Sequence, residues 1–222
     1  IADDNDQASI LKQKFSTRYK GKSKDFTKAV TNKIESLQTD NILPDEITPS
    51  DIPTDAIYTI NELREVYYFY QEAKRRQNLR DFNDILRFTY QIRKNNEAVR
   101  LNWQRKFDRF LVDEFQDTNM SQYLIVRKLS SEHRNITVVG DDAQSIYAFR
   151  GARIENILNF KKDFPDAAEY KLDQNYRSTK VIVEAANSLI NNNKAQFQKT
   201  CFSRGEEGEK IELLKAVTDQ EE

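Results

Sequence analysis

The chain has one cysteine, one histidine, four prolines and five glycines in 222 residues. With Cys201 alone no internal disulfide can form, and a reducing compartment is expected. His133 and Cys201 together cannot build a His/Cys metal centre. No apolar run reaches the length of a membrane span, so a membrane partner is not expected. No secretory signal is visible. The chain opens at Ile1 rather than at methionine, and we expect a piece of a longer protein. Charge of one sign is also lacking: 35 Lys and Arg stand against 36 Asp and Glu, a net charge of −1. No global basic field therefore announces nucleic acid, and local distribution has to carry that argument.

What is present is charge and helix. Charged residues make up 32 % and hydrophobic residues 38 %, which suits a helix-rich chain with several exposed faces. Gly21 is the only glycine in the first hundred residues, which read as almost wholly helical. Asp55–Asn78 carries Ile57, Ile60, Leu63, Val66, Tyr67 and Tyr70 at helical spacing. Before it, residues 41–54 hold Pro44, Pro49 and Pro53 and read as a loop. Asp81 is placed to cap a helix through Ile85, Leu86, Phe88 and Tyr90. Another helical stretch runs toward Trp103 and Phe107.

From Phe107 short apolar runs alternate with amphipathic stretches. Strands are expected at Phe110–Val112, Ile136–Val139, Glu169–Leu172 and Lys210–Val217, and helices at Ser121–Leu129, Ala152–Phe160 and Ser178–Asn191. The last helix should bury Val181, Ile182, Ala185, Ala186, Leu189 and Ile190. Alternation of this kind implies a parallel sheet with covering helices.

Three strings carry chemistry. The first is DEFQDTN, where an apolar run ends in Asp113 and Glu114. One carboxylate of such a pair can hold a magnesium ion while its neighbour activates a water; strand ends also carry carboxylates that merely face solvent. Gln116 and Asp117 are placed to link this site to the next strand. The second string is VGDDAQSIYAFRGA. Gln144 can hydrogen-bond a terminal phosphate without competing for a metal, or face water as a turn residue. Tyr147, Phe149 and Arg150 offer two aromatic faces and a cation for bases, and alternation makes Ile146 the better core candidate. The third string is LDQNYRST, where Arg177 can reach a phosphate, Tyr176 can stack on a purine and Ser178 can cap the following helix. A basic run from Lys12 to Lys33 (Lys12, Lys14, Arg18, Lys20, Lys22, Lys24, Lys28, Lys33) faces only Asp25 within its own window. It reads either as a solvated helical face or as a phosphate-contacting one. Gly21-Lys22-Ser23 is not a phosphate loop, because Ser16 stands where the first glycine is needed and no strand precedes it. No phosphate loop occurs anywhere in these residues.

At these strings the chain resembles the superfamily 1A DNA helicases of the UvrD/Rep/PcrA group. DEFQDTN is similar to their motif II, VGDDAQSIYAFRGA to motif III and LDQNYRST to motif IV. DDNDQASILKQ resembles the entry into the inserted helical subdomain 1B. NLRDFNDIL resembles an LDFDDLL segment, with Asn83 where aspartate is usual, and GEEGEKIELLKAV resembles the strand region early in domain 2A. Phe149 stands where tryptophan is usual, which should leave stacking with less area.

The resemblance implies an α/β fold, part of a parallel RecA-like P-loop NTPase sheet with a mainly helical inserted subdomain. Residues 1–106 would be the 1B-like part with its return helices, 107–167 the second part of domain 1A, and 168–222 the start of domain 2A. It implies an ATP-dependent, 3′-to-5′ DNA translocase and helicase that uses ATP and Mg2+. In it Asp113 and Glu114 serve the metal, Glu114 is the base, Gln144 and Arg177 contact the terminal phosphate, and Tyr176 stacks on adenine. Tyr147, Phe149 and Arg150 would line a single-strand channel, and Lys20, Lys22 and Lys24 would contact duplex near a fork. A cytoplasmic, nucleoid-associated location follows. Without the phosphate loop these residues alone should not turn over ATP. The alternatives are the motor part of a helicase–nuclease and a non-catalytic DNA-binding scaffold that retains the motifs.

Overall fold

The computed structural model describes residues 1–194 and 196–213, apart from the side chain of Asp4. It divides into two compact units: residues 1–141 with 145–157, and residues 142–144 with 158–222. Helices and short parallel sheets make a mixed α/β fold, as expected.

The first unit opens with α1 (Asp4–Arg18), α2 (Lys24–Thr39) and α3 (Ile60–Arg76). On α2, Phe26, Val30, Ile34 and Leu37 recur at helical spacing and form one buried face. They pack with Ile10, Leu11 and Phe15 of α1 and with Leu63, Val66, Tyr67 and Tyr70 of α3 in one apolar core. The helix expected over Asp55–Asn78 starts later, at Ile60. Thr59 caps it and shares a reciprocal pair of bonds with Glu62, which fixes the start. Ile57 falls before that cap and is exposed. The proline-rich stretch is a loop with two single 3₁₀ turns, Pro44–Glu46 and Pro49–Asp51.

Helix α4 (Phe82–Asn95) begins at Asp81, whose Oδ1 accepts from Asp84 N at 2.7 Å, so the expected cap forms. The same carboxylate anchors a buried polar knot. Lys74 Nζ lies 2.5 Å from Asp81 Oδ2 and 2.6 Å from Asp84 Oδ2. Tyr70 Oη and Gln38 Nε2 also donate to Asp81 Oδ2, at 2.8 and 3.1 Å. Burial alone pushes Asp81 toward protonation. The bond and charge of Lys74, with the bonds from Asp84 N and Gln38, together outweigh that and hold it below the usual carboxylate range.

Helix α5 (Glu97–Lys106) follows, then β1 (Phe110–Val112), α6 (Met120–Ser130) and β2 (Ile136–Val138). Buried Gln104 on α5 donates to the Lys128 carbonyl at 2.6 Å and so satisfies a C-terminal acceptor of α6. An aromatic file runs from Trp103 through Phe107 and Phe110 to His133. His133 Nδ1 accepts from Asn135 N at 3.1 Å, so its Nε2–H donates to the Phe107 carbonyl at 2.9 Å. Strands β1 and β2 pair in parallel, with Phe110 opposite Ile136 and Val112 opposite Val138.

The helix expected over Ala152–Phe160 is instead two short helices, α7 (Glu155–Leu158) and α8 (Phe160–Asp163). In the second unit Phe160 and Phe164 stack at 4.7 Å and are buried. No strand forms at Glu169–Leu172, where Tyr170 and Leu172 are exposed. The strand β3 is Gln174–Asn175, inside the string expected to follow it. It pairs in parallel with β4 (Phe202–Ser203) across α9 (Lys180–Ile190). On α9 Val183 is the buried apolar residue, while Ile182 and Leu189 are exposed and Ala185 and Ala186 face outward with them. Of the face expected to be buried, Val181 and Ile190 are half-buried and the other four residues are exposed among the described residues. Lys210–Leu213 is not a strand, and residues 214–217 of that expectation lie outside the described ones.

Candidate functional site

Strand β1 ends at Val112, and the chain then turns sharply. Glu114 has φ 48° and ψ 41°, the left-handed region that non-glycine residues seldom occupy. The turn sends Phe115–Asp117 into a 3₁₀ helix and buries Phe115 and Gln116. Asp113 and Glu114 stay exposed at the carboxyl end of the strand. Backbone bonds from Val139 N to the Val112 carbonyl (2.8 Å) and from Phe115 N to the Val139 carbonyl (2.9 Å) carry the β1–β2 pairing past this point.

Gln116 organises the corner. Its Nε2 donates to Glu114 Oε2 at 2.8 Å and to Asp117 Oδ2 at 3.1 Å. Its Oε1 accepts from Asp141 N at 3.0 Å, and its main-chain carbonyl accepts from Ser145 Oγ at 3.2 Å. One buried amide thus fixes a carboxylate of the first string and the backbone of the second. The link expected of Gln116 is present. Gly140 is part of it, a role that no feature of the string itself marks. A Cβ there would lie 2.5 Å from Gln116 Oε1 and 3.2 Å from Gln116 N, so the corner closes only with glycine.

The carboxylates suit a hard cation. Asp113 Oδ1 accepts from Glu114 N at 2.9 Å, and Asp113 Oδ2 has no partner among the described residues. Glu114 keeps Oε1 clear of the Gln116 bond. Among the described residues no cluster of three or more His, Cys, Asp or Glu forms a self-sufficient metal cage. A cation held here would take its remaining ligands from water or from a bound oxyanion.

The second string is shared between the units. Asp142–Gln144, a single 3₁₀ turn, belongs to the second unit, where Asp142 Oδ2 accepts from Phe197 N at 2.7 Å. Gln144 is exposed. In the first unit Tyr147 and Phe149 stand 6.0 Å apart, and the Arg150 guanidinium lies 5.5 Å from each ring. Phe149 is 77 % exposed. Ile146, expected in the core, is 70 % exposed, because the segment is a pair of tight turns and strand alternation does not apply. The cluster is closed by Gly151 at φ 84°, where a Cβ would meet Thr39 Cγ2 of α2 at 2.2 Å. Arg153 pairs with Asp40 at 2.8 Å and Ser121 Oγ donates to the Thr39 carbonyl at 3.3 Å. The end of α2 is therefore seated against the base of this loop.

In the second unit Tyr176 and Arg177 follow β3 and are exposed, lining a cavity of about 420 Å³ with Gln174–Thr179 and Ser203–Glu206. Asn175 Oδ1 accepts from Arg177 N (2.9 Å) and Ser178 N (2.8 Å) and shapes the turn. Ser178 is not the cap of α9; that position is Thr179. The first amides of α9 are met by backbone, Lys180 N by the Glu206 carbonyl and Val181 N by that of Glu207.

The basic run lies at α1, α2 and the turn between them. Part of its charge is answered by α3, which a local window cannot show. Lys14 and Arg18 pair with Glu65 at 2.8 and 3.6 Å, and Lys22 with Glu62 at 2.9 Å. Lys20 and Lys24 are exposed with no ion pair among the described residues.

Comparisons with known proteins give the family of the chain. The model of the UvrD/REP helicase N-terminal domain matches residues 1–165, and that of the UvrD-like helicase C-terminal domain matches residues 170–222. The chain belongs to the UvrD/REP helicase family. It is 38 % identical over its whole length to DNA helicase II of Rickettsia typhi, covering 33 % of that protein. It is 37 % identical over its whole length to the ATP-dependent DNA helicase PcrA of Staphylococcus aureus, covering 30 % of it. A probable DNA helicase II homolog of Rickettsia felis is 42 % identical over 183 residues, which is 82 % of this chain and 27 % of the relative. The chain spans about a third of the length of the curated relatives it matches. Both UvrD matches meet near the end of α8, and the mixed fold with its helical part and short parallel sheets is that of the RecA-like core of this family. No helix among the described residues is long and apolar enough to cross a membrane.

Proposed function

We propose that this chain is the middle of an ATP-driven, 3′-to-5′ DNA helicase. Residues 1–106 act as the helical 1B part, 107–167 as the second part of domain 1A and 168–222 as the start of domain 2A. The observation that supports this best is the Gln116 amide. It aligns the Glu114 carboxylate and is held by the backbone of the glycine-aspartate segment that leads to Gln144. A hydrolytic site needs such alignment, because a base misplaced by an ångström loses much of its effect.

In this reading Glu114 Oε1 takes the proton of the attacking water, while Oε2 stays bonded to Gln116. Asp113, with Glu114 beside it, holds the magnesium, which when bound screens the charge of the phosphates. Gln144 and Arg177 contact the terminal phosphate and Tyr176 stacks on adenine. Tyr147, Phe149 and Arg150 hold bases of the single strand, each stacked base contributing about 1–3 kcal/mol. Lys20, Lys22 and Lys24 meet duplex phosphates of a forked substrate. The protein works in the cytoplasm on the nucleoid. Residues 1–222 contain no lysine phosphate loop and on their own do not hydrolyse ATP.

The test is Glu114→Gln in the full-length protein. Steady-state ATPase with single-stranded DNA is expected to fall by several orders of magnitude while nucleotide binding persists. Turnover near that of the wild type would remove Glu114 from the role of base.

A further inference from the structure

The cavity in the second unit has a second arginine. β3 and β4 run parallel with Gln174 opposite Phe202 and Asn175 opposite Ser203. Tyr176 and Arg204 are the next residues of the two strands and Arg177 follows Tyr176, so both arginines come just past the carboxyl ends of neighbouring strands. In open parallel sheets this is the end at which ligands bind. Both arginines line the cavity of about 420 Å³, which is within the range of small-ligand pockets. Among the described residues neither guanidinium has a carboxylate within ion-pair distance; Arg204 rests over the Phe202 ring at 5.8 Å. Glu206 is the one acidic residue of the lining, leaving two cations to one anion.

The loop that carries Arg204 is fixed to the loop that carries Arg177. Ser203 Oγ donates to the Ser178 carbonyl at 2.8 Å and accepts from Gly205 N at 3.2 Å. Gly208, at φ 85°, lies so close to Thr179 that a Cβ would meet its Oγ1 at 2.4 Å. Because the first amides of α9 are already bonded to carbonyls, the arginines supply the positive charge of the pocket. Two guanidiniums at one rim, without an ion pair among the described residues, match an extended oxyanion, and each can bind phosphate oxygens bidentately. Tyr176, 87 % exposed at the same rim, favours a nucleotide over a bare anion.

We propose that Arg204 is a second phosphate-binding residue of this pocket, sharing with Arg177 the phosphate chain of a nucleoside triphosphate stacked on Tyr176. This rests on the nucleotide reading of Tyr176 and Arg177 given above. The experiment uses the full-length protein, a fluorescent N-methylanthraniloyl derivative of the non-hydrolysable ATP analogue AMP-PNP, unlabelled adenosine as competitor, and an oligo-dT strand. Variants are Arg204→Gln, Arg204→Lys and Arg177→Gln. Arg204→Gln is expected to weaken the AMP-PNP derivative about ten-fold, as loss of a charge-assisted bond should. Arg204→Lys should recover part of that loss, and adenosine competition and oligo-dT affinity should not move. If Arg177→Gln weakens the nucleotide and Arg204→Gln does not, Arg204 is no phosphate ligand and the reading of Arg177 stands. If neither variant weakens it, the nucleotide reading of the pocket fails and this inference with it. Equal losses for oligo-dT and nucleotide would assign the phosphate to DNA, and loss of adenosine with both Arg204 variants would reduce Arg204 to a support of the fold. Either result overturns the proposal.

Discussion

The helical part of the first unit and the second unit treat apolar and charged side chains in opposite ways. Along α1, α2 and α3 the apolar face of each helix meets another, and the buried cation Lys74 meets two carboxylates. In the second unit Tyr176, Arg177 and Arg204 face a cavity, and Ile182 and Leu189 of α9 face outward. In the first region the buried side chains are explained by the chain itself, while Lys20 and Lys24 stay exposed. In the second, groups that would be expected to find partners have none among the described residues, which is the mark of a surface made for something else. The motif corner stands between these extremes, with Gln116 buried and fully bonded beneath exposed Asp113 and Glu114.

Removing the cation of the buried knot should break the first region hardest. Lys74→Met leaves buried Asp81 without its counter-charge and Asp84 with only the longer pair to Arg87 at 3.5 Å, and should cost about 3–5 kcal/mol. Urea unfolding would measure it, with hydrogen exchange on α3 and α4 as the local readout. The pH dependence has a definite sign. Asp81 is held below its ordinary range in the folded state, so its contribution is complete above about pH 4 and fades as pH falls through the depressed value. The variant should lose that acid-side slope. An unchanged slope would mean that Lys74 does not hold Asp81 ionised.

Next is the corner. Gly140→Ala places a methyl group against Gln116 and should destabilise by about 1–3 kcal/mol. In the full-length protein it should also lower ATPase turnover with nucleotide affinity nearly intact, because Glu114 loses its alignment. Stability and turnover both at wild-type levels would show that the Gln116 bond is not needed.

Phe149→Ala sharpens the contrast from the exposed side. Phe149 is largely solvent-facing, so the folded state should lose little. Base stacking should fall by about 1–3 kcal/mol and unwinding with it, while ATPase without DNA holds. A large drop in melting temperature would place Phe149 in the architecture and not in the channel.

The smallest effect is expected from the basic turn. Replacing Lys20, Lys22 and Lys24 by Glu should weaken duplex binding and flatten its salt dependence. Because Lys22 already pairs with Glu62, the change should be carried mainly by Lys20 and Lys24. An unchanged salt slope returns this stretch to an ordinary solvated face.

What could be read from the sequence follows the same division. The caps at Asp81 and the strands at Phe110 and Ile136 were legible because local chemistry decides them. The apolar periodicity of residues 60–70 was legible because its partners lie within the chain. The helix starts at Ile60 and not with Ile57, because the capping box of Thr59 and Glu62 overrides the apolar pattern. The strand lies at Gln174–Asn175 and not at Glu169–Leu172, where Tyr170 and Leu172 supply β-type residues without a strand to pair with among the described residues. Ile146 is exposed because alternation applies to strands and not to the turns that follow Asp141. The three motif strings were recognisable as strings. Their geometry was not, since neither the left-handed turn at Glu114 nor the closeness of Gly140 to Gln116 leaves a mark in composition.

The aromatic file from Trp103 to His133 has a practical consequence. Both ends are single-copy residues, the only tryptophan and the only histidine of these 222 residues. Trp103 sits on α5 and His133 before β2, joined through Phe107 and Phe110. The seam between helices and sheet in the first unit thus carries two native reporters. One is an indole emission, the other a single imidazole ring signal whose Nε2–H tautomer is fixed by Asn135 and Phe107. Any perturbation that parts the seam should change both signals together, and one that leaves it closed should change neither, with no label introduced.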